Sequence, residues 1–464
     1  MASGKNNYTI LPKNWWEHCS GVMRFTPKVD GETITDIIKV LDDVKEWGID
    51  AVELFAPYHG GIEYGGLDVI DYYSVDPSIG TMEDFYTLVK ECHQRGLAII
   101  IFVNLGYCAM EFPAFLKACN DVKAGIDSPE SHWFLWSDTG EEEFDRSLIP
   151  YFMNDADGHW HYSEKAGKYY WVKWHGSKGN VYLPQFNYGD PFWRAECKRV
   201  VKFWMDTNID GMIIDAVNWY MNCNWQINNE TITNIIRSYG NKYIQPEGAG
   251  GFCDDPVQWI TKGKYNSVQD YGLSIWWTGY DAVDSAIKSR NPRGIEYNLR
   301  RYRDRVVQAG GVTYQGPSWL NWRQETKLTN AQKLLVAAVY ATVGELFACS
   351  SRLMKLDLPS EWKTRLRNLL RILQAYPALQ AAGGRKRVPT NDDNKYYAFL
   401  RTSKDMRQKV LVIMNFQQEE QTVKVRLGER KRLMDVFTGE RVHSKPDLEI
   451  DVEPYGYKIF AMEK

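Results

Sequence analysis

The chain has 464 residues, 44% of them hydrophobic and 25% charged, which is typical of a folded protein with one large domain and room for smaller ones. Its formal net charge of -3 predicts neither a basic surface for nucleic acid nor a polybasic patch for a membrane. No apolar run approaches the roughly 20 residues that span a bilayer. Nucleic acids and membranes are therefore not expected as partners.

The eight cysteines are scattered, without a C-x-x-C pair or a zinc-ligand spacing. Several lie in apolar segments, where thiols pack as small hydrophobic groups. The first residues, M-A-S-G-K-N-N-Y, lack the apolar core of an export signal. Together these features predict a cytoplasmic protein with reduced thiols and no metal ion or other cofactor.

Aromatic residues are unusually frequent, with 18 Trp and 28 Tyr. Their rings stack on the apolar faces of sugars and their polar atoms donate hydrogen bonds to hydroxyl groups. A large hydrophobic core also buries many aromatics, so this excess favours a carbohydrate ligand only weakly.

Segments typical of strands and helices alternate in the first part of the chain. Strands are predicted at 20–25, 51–55 and 97–103, and helical spacing covers 34–47 and 81–96, with Thr81 as the predicted N-cap. The segment L-A-I-I-I-F-V at 97–103 is fully apolar, as expected for a parallel sheet that is covered on both faces.

The alternation stops after the third strand and resumes with a predicted helix at 190–207. Further strands are predicted at 211–215, 243–248, 266–272, 310–316 and 344–350. After a helix at 360–376, short alternating strands separated by turns dominate. We therefore expect an α/β fold in which 1–105 and 190–385 form a (β/α)8 TIM barrel. The segment 106–189 would be an inserted domain, and 386–464 a C-terminal antiparallel β-sandwich.

Two of these strands end in carboxylates. The segment G-M-I-I-D ends in Asp215, and Y-I-Q-P-E-G contains Glu247. Carboxylates at the C-terminal ends of successive parallel strands converge on one mouth of a barrel. Glycoside hydrolysis with retention of configuration requires at least one pair of carboxylates in the same cleft.

The motifs of this chain resemble those of the α-amylase family, glycoside hydrolase family 13, nearly from end to end. They are Y-G-G-L-D-V-I-D-Y-Y-S-V-D-P-S-I-G-T (64–81), E-D-F-Y-T-L-V-K-E-C-H-Q-R-G-L (83–97), L-P-Q-F-N-Y-G-D-P (183–191), G-M-I-I-D-A-V (211–217), P-E-G (246–248), V-L-V-I-M-N-F (410–416) and P-Y-G-Y-K-I-F (454–460). The resemblance implies that the inserted segment is the family's domain B. It also implies that Asp215 is the nucleophile, that Glu247 is the general acid and then the base, and that Asp68 binds hydroxyl groups of the sugar.

The chain departs from the family pattern at several strand ends. Ile213 stands where the family has an arginine that pairs with the nucleophile and lowers its pKa. At the third strand, Phe102, Gly106 and Tyr107 replace the residues of D-x-x-x-N-H. The seventh-strand segment T-Y-Q-G-P-S-W at 313–319 has no acid where the family has its third catalytic carboxylate. Loss of the third-strand Asn also argues against the family's usual structural calcium.

Other residues at the strand ends are candidates to replace the lost ones. Asp270, at the end of the sixth strand, either supplies the third acid or is an ordinary hydrogen-bonded acid. Arg24, at the end of the first strand, either supplies the missing positive charge or forms a salt bridge elsewhere. The remaining predicted substrate-contacting side chains are His59, Asn104, Tyr107, Trp219 and Gln315.

The sequence therefore predicts a glycoside hydrolase or transglycosidase that acts on a small α-glycoside through Asp215 and Glu247, with an altered glycone subsite. The alternative is a catalytically inactive relative that binds carbohydrate. Retention of configuration is expected from the resemblance. Inversion stays open, and the separation of the two carboxylates would discriminate between them.

Overall fold

The computed structural model describes residues 11–61, 65–141, 159–175, 182–217, 224–248, 255–275, 279–321 and 326–463. At its centre lies an eight-stranded parallel sheet. We number its strands β1 to β8 along the chain: Gly21–Phe25, Ala51–Phe55, Ala98–Val103, Gly211–Ile214, Tyr243–Pro246, Ser267–Gln269, Val312–Gln315 and Glu345–Ser350. Each matches a strand predicted from the sequence to within a few residues.

The sheet closes into a barrel. Its strand order is β5-β4-β3-β2-β1-β8-β7-β6, and Asn266 joins the two outer strands. The Asn266 backbone N–H donates to the Ile244 carbonyl at 3.2 Å. Its side chain accepts from the Ile244 N–H at 2.8 Å and donates to the Lys242 carbonyl at 2.9 Å. The predicted (β/α)8 TIM barrel is confirmed.

Helices surround the barrel. The main ones are Ile34–Lys39, Leu41–Glu46, Met82–Gln94, Pro191–Asp206, Trp225–Asn228, Asn234–Ser238, Pro256–Thr261, Ala282–Ser289, Arg293–Arg301, Arg303–Gln308, Asn330–Val343 and Ser360–Ala375. The helix predicted at 34–47 is divided at Val40 into two short helices. Thr81 caps the Met82–Gln94 helix as predicted, because its hydroxyl accepts from the Asp84 N–H while the Asp84 side chain accepts from the Thr81 N–H.

The segment between β3 and Pro191 forms a small unit beside the barrel mouth. It contains the helix Pro113–Ala124 and an antiparallel sheet of the strands Trp136–Ser137, Lys168–His175, His159–Ser163 and Tyr182–Pro184. Many of the aromatic residues form its core. The rings of Phe115 and Tyr170, for example, pack edge to face with their centroids 4.9 Å apart. Core packing thus accounts for part of the aromatic excess.

The C-terminal part forms two packed antiparallel sheets, which confirms the predicted β-sandwich. One contains Gly384–Val388, Tyr396–Thr402, Lys409–Asn415, Tyr457–Met462, Arg432–Asp435 and Arg441–His443, and the other Gln421–Arg426 and Asp447–Val452. Side chains from both sheets, including Leu411, Val423 and Phe460, share one hydrophobic core.

Buried arginines join the sandwich to the barrel. Arg303 donates to the carbonyls of Ala381 at 3.0 Å and Gly383 at 2.6 Å. Arg401 donates to the carbonyls of Val343 and Ala378. Since backbone carbonyls satisfy these guanidinium groups, their burial is tolerated. Among the described residues, no helix combines the length and apolar character needed to cross a membrane.

Candidate active site

Asp215 and Glu247 lie at the C-terminal ends of β4 and β5, one residue beyond each strand. The Asp215 N–H donates to the Val103 carbonyl at 2.8 Å, and the Glu247 N–H donates to the Ile214 carbonyl at 2.8 Å. These bonds continue the ladders β3–β4 and β4–β5 past the formal strand ends. The two carboxylates are therefore fixed to a rigid sheet at the mouth of the barrel.

Asp215 lies in a nearly dry environment, with 7% of its surface exposed. The Tyr107 hydroxyl donates a hydrogen bond to its Oδ2 atom at 3.0 Å. Burial, followed by the nearby charge of Glu247, raises the pKa of Asp215 well above its ordinary value, while the bond from Tyr107 opposes this rise. Tyr107 is thus a predicted site residue that the structure brings to the carboxylate pair.

Glu247 accepts a hydrogen bond on each of its two oxygens. The backbone N–H of Ala216, the residue after Asp215, donates to Oε2 at 3.0 Å. The Tyr271 hydroxyl donates to Oε1 at 2.7 Å. Burial raises the pKa of Glu247, and Tyr271, the Ala216 N–H and the charge of Arg24 lower it. Ala216 has φ 41°, an unusual conformation for a residue other than glycine, and it aims its N–H at this acid.

Ile213 is fully buried in the barrel, in register with Phe102 of β3 and Gln245 of β5. An apolar side chain therefore occupies this position, where the family resemblance predicts an arginine. The hydrogen bond that Asp215 receives from Tyr107 comes from a neutral group. A neutral donor lowers a carboxyl pKa less than a charged one.

Arg24 points into the barrel interior and forms a salt bridge with Glu53. Its Nε atom lies 2.6 Å from Glu53 Oε1, and one terminal nitrogen donates to the Tyr314 hydroxyl at 3.2 Å. Tyr314 in turn donates to Glu53 Oε2 at 2.6 Å. The structure thus shows Arg24 in a salt bridge, which is one of the two roles predicted for it. Its charge still lowers the pKa of Glu247, although Glu53 neutralises much of it.

The structure does not bring Asp270 to the carboxylate pair. Its Oδ1 atom accepts from the Leu273 N–H at 3.0 Å, and Glu345, the first residue of β8, is the charge that raises its pKa, together with burial. A Cβ atom on Gly272 would lie 2.9 Å from Asp270 Oδ1 and 3.0 Å from Tyr302 Cβ. These contacts fit an ordinary hydrogen-bonded acid, and the role of third acid stays a prediction.

The side-chain amides of Asn104 and Gln315 form hydrogen bonds with backbone groups. Asn104 donates to the carbonyls of Leu67 and Tyr107, both at 2.7 Å, and accepts from the Gly106 N–H at 2.7 Å. Gln315 donates to the carbonyls of Asp270 at 3.1 Å and Ser274 at 2.9 Å. These contacts show that both amides hold the loops around the mouth, while the substrate-contacting roles predicted for them stay predictions.

Asp68 is buried near the carboxylate pair. The side chain of Tyr58 has a pKa raised by burial, by Asp215 and by Asp68, so both carboxylates lie near one tyrosine. His59, which follows Tyr58 in the sequence, is partly exposed, and its backbone pairs with that of Asp71 in a short antiparallel sheet. Trp219 lies outside the described residues.

Three contributing side chains were not predicted from the sequence: Tyr58, Tyr271 and Glu53. Tyr271 follows Asp270 directly, in Q-D-Y-G, where a search for carboxylates favours the aspartate. The described residues contain no group of three or more His, Cys, Asp and Glu side chains arranged to hold a metal ion.

Comparisons with known proteins match both the barrel and the sandwich. The profile described as "Alpha amylase, catalytic domain" matches residues 22–250, and "Maltogenic Amylase, C-terminal domain" matches residues 387–459. Together they match about two thirds of the chain.

Among curated relatives, the trehalose synthase/amylase TreS of Mycobacterium tuberculosis is 30% identical over 194 residues, which are 42% of this chain and 30% of that protein. The trehalose-6-phosphate hydrolase of Escherichia coli is 30% identical over 224 residues, which are 45% of this chain and 37% of that protein. The matched region thus spans about a third of these relatives.

Among solved structures, the alpha-amylase from H. orenii superposes with a TM-score of 0.76 at 18% identity. The superposition covers 96% of this chain and 100% of that chain. At this level of identity the likeness establishes the fold.

Proposed function

Because the chain belongs to the α-amylase family, we propose that it is a glycoside hydrolase or transglycosidase acting on a small α-glycoside through Asp215 and Glu247. The observation that carries the proposal is the coupling of these two acids at adjacent strand ends. The N–H that follows Asp215 donates to Glu247 at 3.0 Å, and the charge of Glu247 raises the pKa of Asp215. One shared proton is the charge state that this chemistry requires.

In the proposed reaction, the Asp215 carboxylate attacks the anomeric carbon while Glu247 gives its proton to the glycosidic oxygen. The C–O bond to the leaving group breaks and a glycosyl ester forms on Asp215. The Glu247 carboxylate then removes a proton from water or from an acceptor hydroxyl. That oxygen attacks the anomeric carbon and releases Asp215. Two displacements retain the anomeric configuration.

Two relatives and the buried carboxylate of Asp68 support a small α-glycoside as the substrate. Two relatives are named for trehalose or trehalose 6-phosphate, both small α-glucosides. Asp68, near Tyr58 and Asp215, supplies a buried carboxylate of the kind that binds sugar hydroxyl groups. The six described cysteines are free and buried, in keeping with the prediction of a cytoplasmic location.

The test is a panel of α-glycosides that includes trehalose, trehalose 6-phosphate and 4-nitrophenyl α-glucoside. We expect turnover with a product that is first formed as the α-anomer, which NMR during the first minutes detects. Asp215→Asn and Glu247→Gln should each lower kcat/KM by about 10³-fold or more. First formation of the β-anomer would contradict the double displacement, and unchanged rates in both variants would contradict the assignment of the residues.

A non-catalytic carbohydrate-binding protein is the second candidate, favoured by the apolar Ile213 and by the position of Asp270 beside Glu345. It predicts that calorimetry detects sugar binding while no member of the panel is turned over. It also predicts that Asp215→Asn and Glu247→Gln leave sugar affinity nearly unchanged.

A further inference from the structure

Each carboxylate of the pair has its own buried tyrosine. Tyr107, which follows β3, donates to Asp215 at 3.0 Å, and Tyr271, which follows β6, donates to Glu247 at 2.7 Å. The two residues are only 1% and 3% exposed. Their hydroxyl groups are therefore part of the site, and water does not compete freely for them.

Both tyrosines are held in place by their backbones. The Tyr107 carbonyl accepts from the Asn104 side chain at 2.7 Å, and its backbone pairs with Gln185 of the inserted segment. The Tyr271 N–H donates to the Gln269 carbonyl at 3.1 Å. Such anchoring fixes the direction of each hydroxyl group before any ligand binds.

We propose that Tyr107 and Tyr271 are positioning residues that decide how the two carboxylates share their proton. Tyr107 stabilises the ionised form of Asp215 where Ile213 has replaced a cation, and Tyr271 stabilises the ionised form of Glu247. This inference rests on the proposed function. It adds an explanation of how the altered site controls the ionisation of its two acids.

Both oxygens of Glu247 receive hydrogen bonds that stabilise its ionised form. The Ala216 N–H lies 3.0 Å from Oε2 and can only donate. The Tyr271 hydroxyl, 2.7 Å from Oε1, donates to the ionised acid and can accept from the protonated one. Removal of the Tyr271 hydroxyl should therefore favour the protonated form of Glu247.

The ionised form of Asp215 is stabilised by a hydrogen bond from a neutral hydroxyl group, which is weaker than a salt bridge. Burial and the charge of Glu247 raise the pKa of Asp215, and Tyr107 is the group that lowers it. A neutral hydroxyl stabilises a carboxylate less than a guanidinium does. We therefore expect the activity to fall at a higher pH, on the acid side, than it would in a site with the family's arginine.

Among the residues that the structure describes, the other charged and titratable groups near the pair are mostly engaged. Tyr58 lies near Asp215 and Asp68, and Tyr302 lies near Tyr271. Arg24 acts on Glu247 but is bound to Glu53 at 2.6 Å. These groups stay the same when either tyrosine is exchanged for phenylalanine, so the two variants isolate the two hydroxyl groups.

The test is the pH dependence of kcat/KM in Tyr107→Phe and Tyr271→Phe. Loss of the Tyr107 hydroxyl raises the pKa of Asp215, so the acid limb of the profile should move to higher pH by about 1 unit. Loss of the Tyr271 hydroxyl raises the pKa of Glu247, which must be protonated, so the basic limb should move to higher pH by about 1 unit. Limbs that stay in place while kcat/KM falls equally at every pH would overturn the inference.

Tyr265→Phe is the matched control. Tyr265 is also a buried tyrosine, and its hydroxyl donates to Asn228 Oδ1 at 2.7 Å, away from the pair. The variant loses one buried hydroxyl group, as the other two do, but should keep the wild-type pH profile. A control profile that moved as far as the others would assign the shifts to a general loss of packing and overturn the inference.

A second measurement keeps the inference testable without turnover. If the wild-type protein hydrolyses no α-glycoside, the proposed function has failed, and the carboxyl carbons can be titrated by ¹³C NMR in the free protein. Asp215→Asn and Glu247→Gln assign the two signals. Tyr107→Phe should raise the titration midpoint of Asp215, and Tyr271→Phe that of Glu247. Midpoints equal to those of the wild-type protein would overturn the inference independently of the proposed function.

Discussion

The acids Asp215 and Glu247 and the acids Asp270 and Glu345 form two neighbouring pairs on the same barrel, and burial raises the pKa of every member. Their surroundings differ. Glu247 retains partial exposure to solvent, whereas Asp270 and Glu345 are 0% and 2% exposed. A raised pKa alone therefore does not identify a catalytic acid. The acid must also be accessible to a ligand and receive hydrogen bonds that hold its oxygens in a fixed direction.

The second pair belongs to the joint between the barrel and the sandwich. The charges of Arg303 and Arg401 lower the pKa of Glu345, and both arginines donate to backbone carbonyls near the domain boundary. By contrast, the first pair receives hydrogen bonds from two tyrosines and one backbone N–H. One pair lies at the interface between the barrel and the sandwich, and the other has the hydrogen-bond donors expected of a pair that exchanges a proton with a ligand.

The largest effect expected from this comparison is on turnover. Asp215→Asn and Glu247→Gln remove groups that touch the substrate in our account and should lower kcat/KM by about 10³-fold or more. Asp270→Asn keeps an oxygen for the Leu273 N–H and should stay within about tenfold of wild type. Steady-state kinetics on 4-nitrophenyl α-glucoside measure both. A loss in Asp270→Asn as large as in Asp215→Asn would restore Asp270 as a catalytic acid.

The second largest effect concerns the ion pair beneath the cleft. Arg24→Met leaves Glu53 buried without a charge partner, which should cost about 3–5 kcal/mol in the free energy of unfolding. Lys39→Met is the control, since the Lys39–Asp36 pair has side chains 71% and 49% exposed and should cost less than about 1 kcal/mol. Urea denaturation compares the two. Equal losses would mean that the burial of the Arg24–Glu53 pair has no energetic consequence.

The smallest effect is a pH-dependent gain in stability that both acid pairs should share. A carboxyl group whose pKa is raised in the folded state contributes stability below its ordinary pKa and loses it as the pH rises through the folded value. Asp270→Asn and Asp215→Asn should therefore each be more stable than wild type at pH 8, by about 1–2 kcal/mol, and gain less at pH 4. Urea denaturation at both pH values measures this. A gain confined to pH 4 would contradict the raised pKa values.

The fold could be predicted because its signals are local and repeated. Apolar strands alternate with helices of amphipathic spacing, and short alternating strands follow after 386, so the barrel and the sandwich emerge without any knowledge of contacts. Asp215 and Glu247 could be located because both follow apolar parallel strands. The direction of a side chain beyond the end of a strand has no such local signal.

The contacts of four predicted residues illustrate this limit. Asp270 ends a strand as Asp215 does, yet its pKa is raised by burial and by Glu345. Asn104 and Gln315 are polar residues near the mouth, but the loops there have carbonyls that require donors, and the two amides supply them. For Arg24 the sequence left two roles open, because nothing in the segment A-V-E-L-F marks Glu53 as its salt-bridge partner in the neighbouring strand.

The assignment of Asp215 as nucleophile and Glu247 as acid and base is tested most directly by azide rescue of the two alanine variants. With 4-nitrophenyl α-glucoside, azide should replace the missing nucleophile in Asp215→Ala and give the β-glucosyl azide by a single inversion. In Glu247→Ala, azide should attack the glycosyl ester on Asp215 and give the α-glucosyl azide. NMR of the isolated products distinguishes the two anomers. The same anomer from both variants, or the reverse pair, would contradict the assignment.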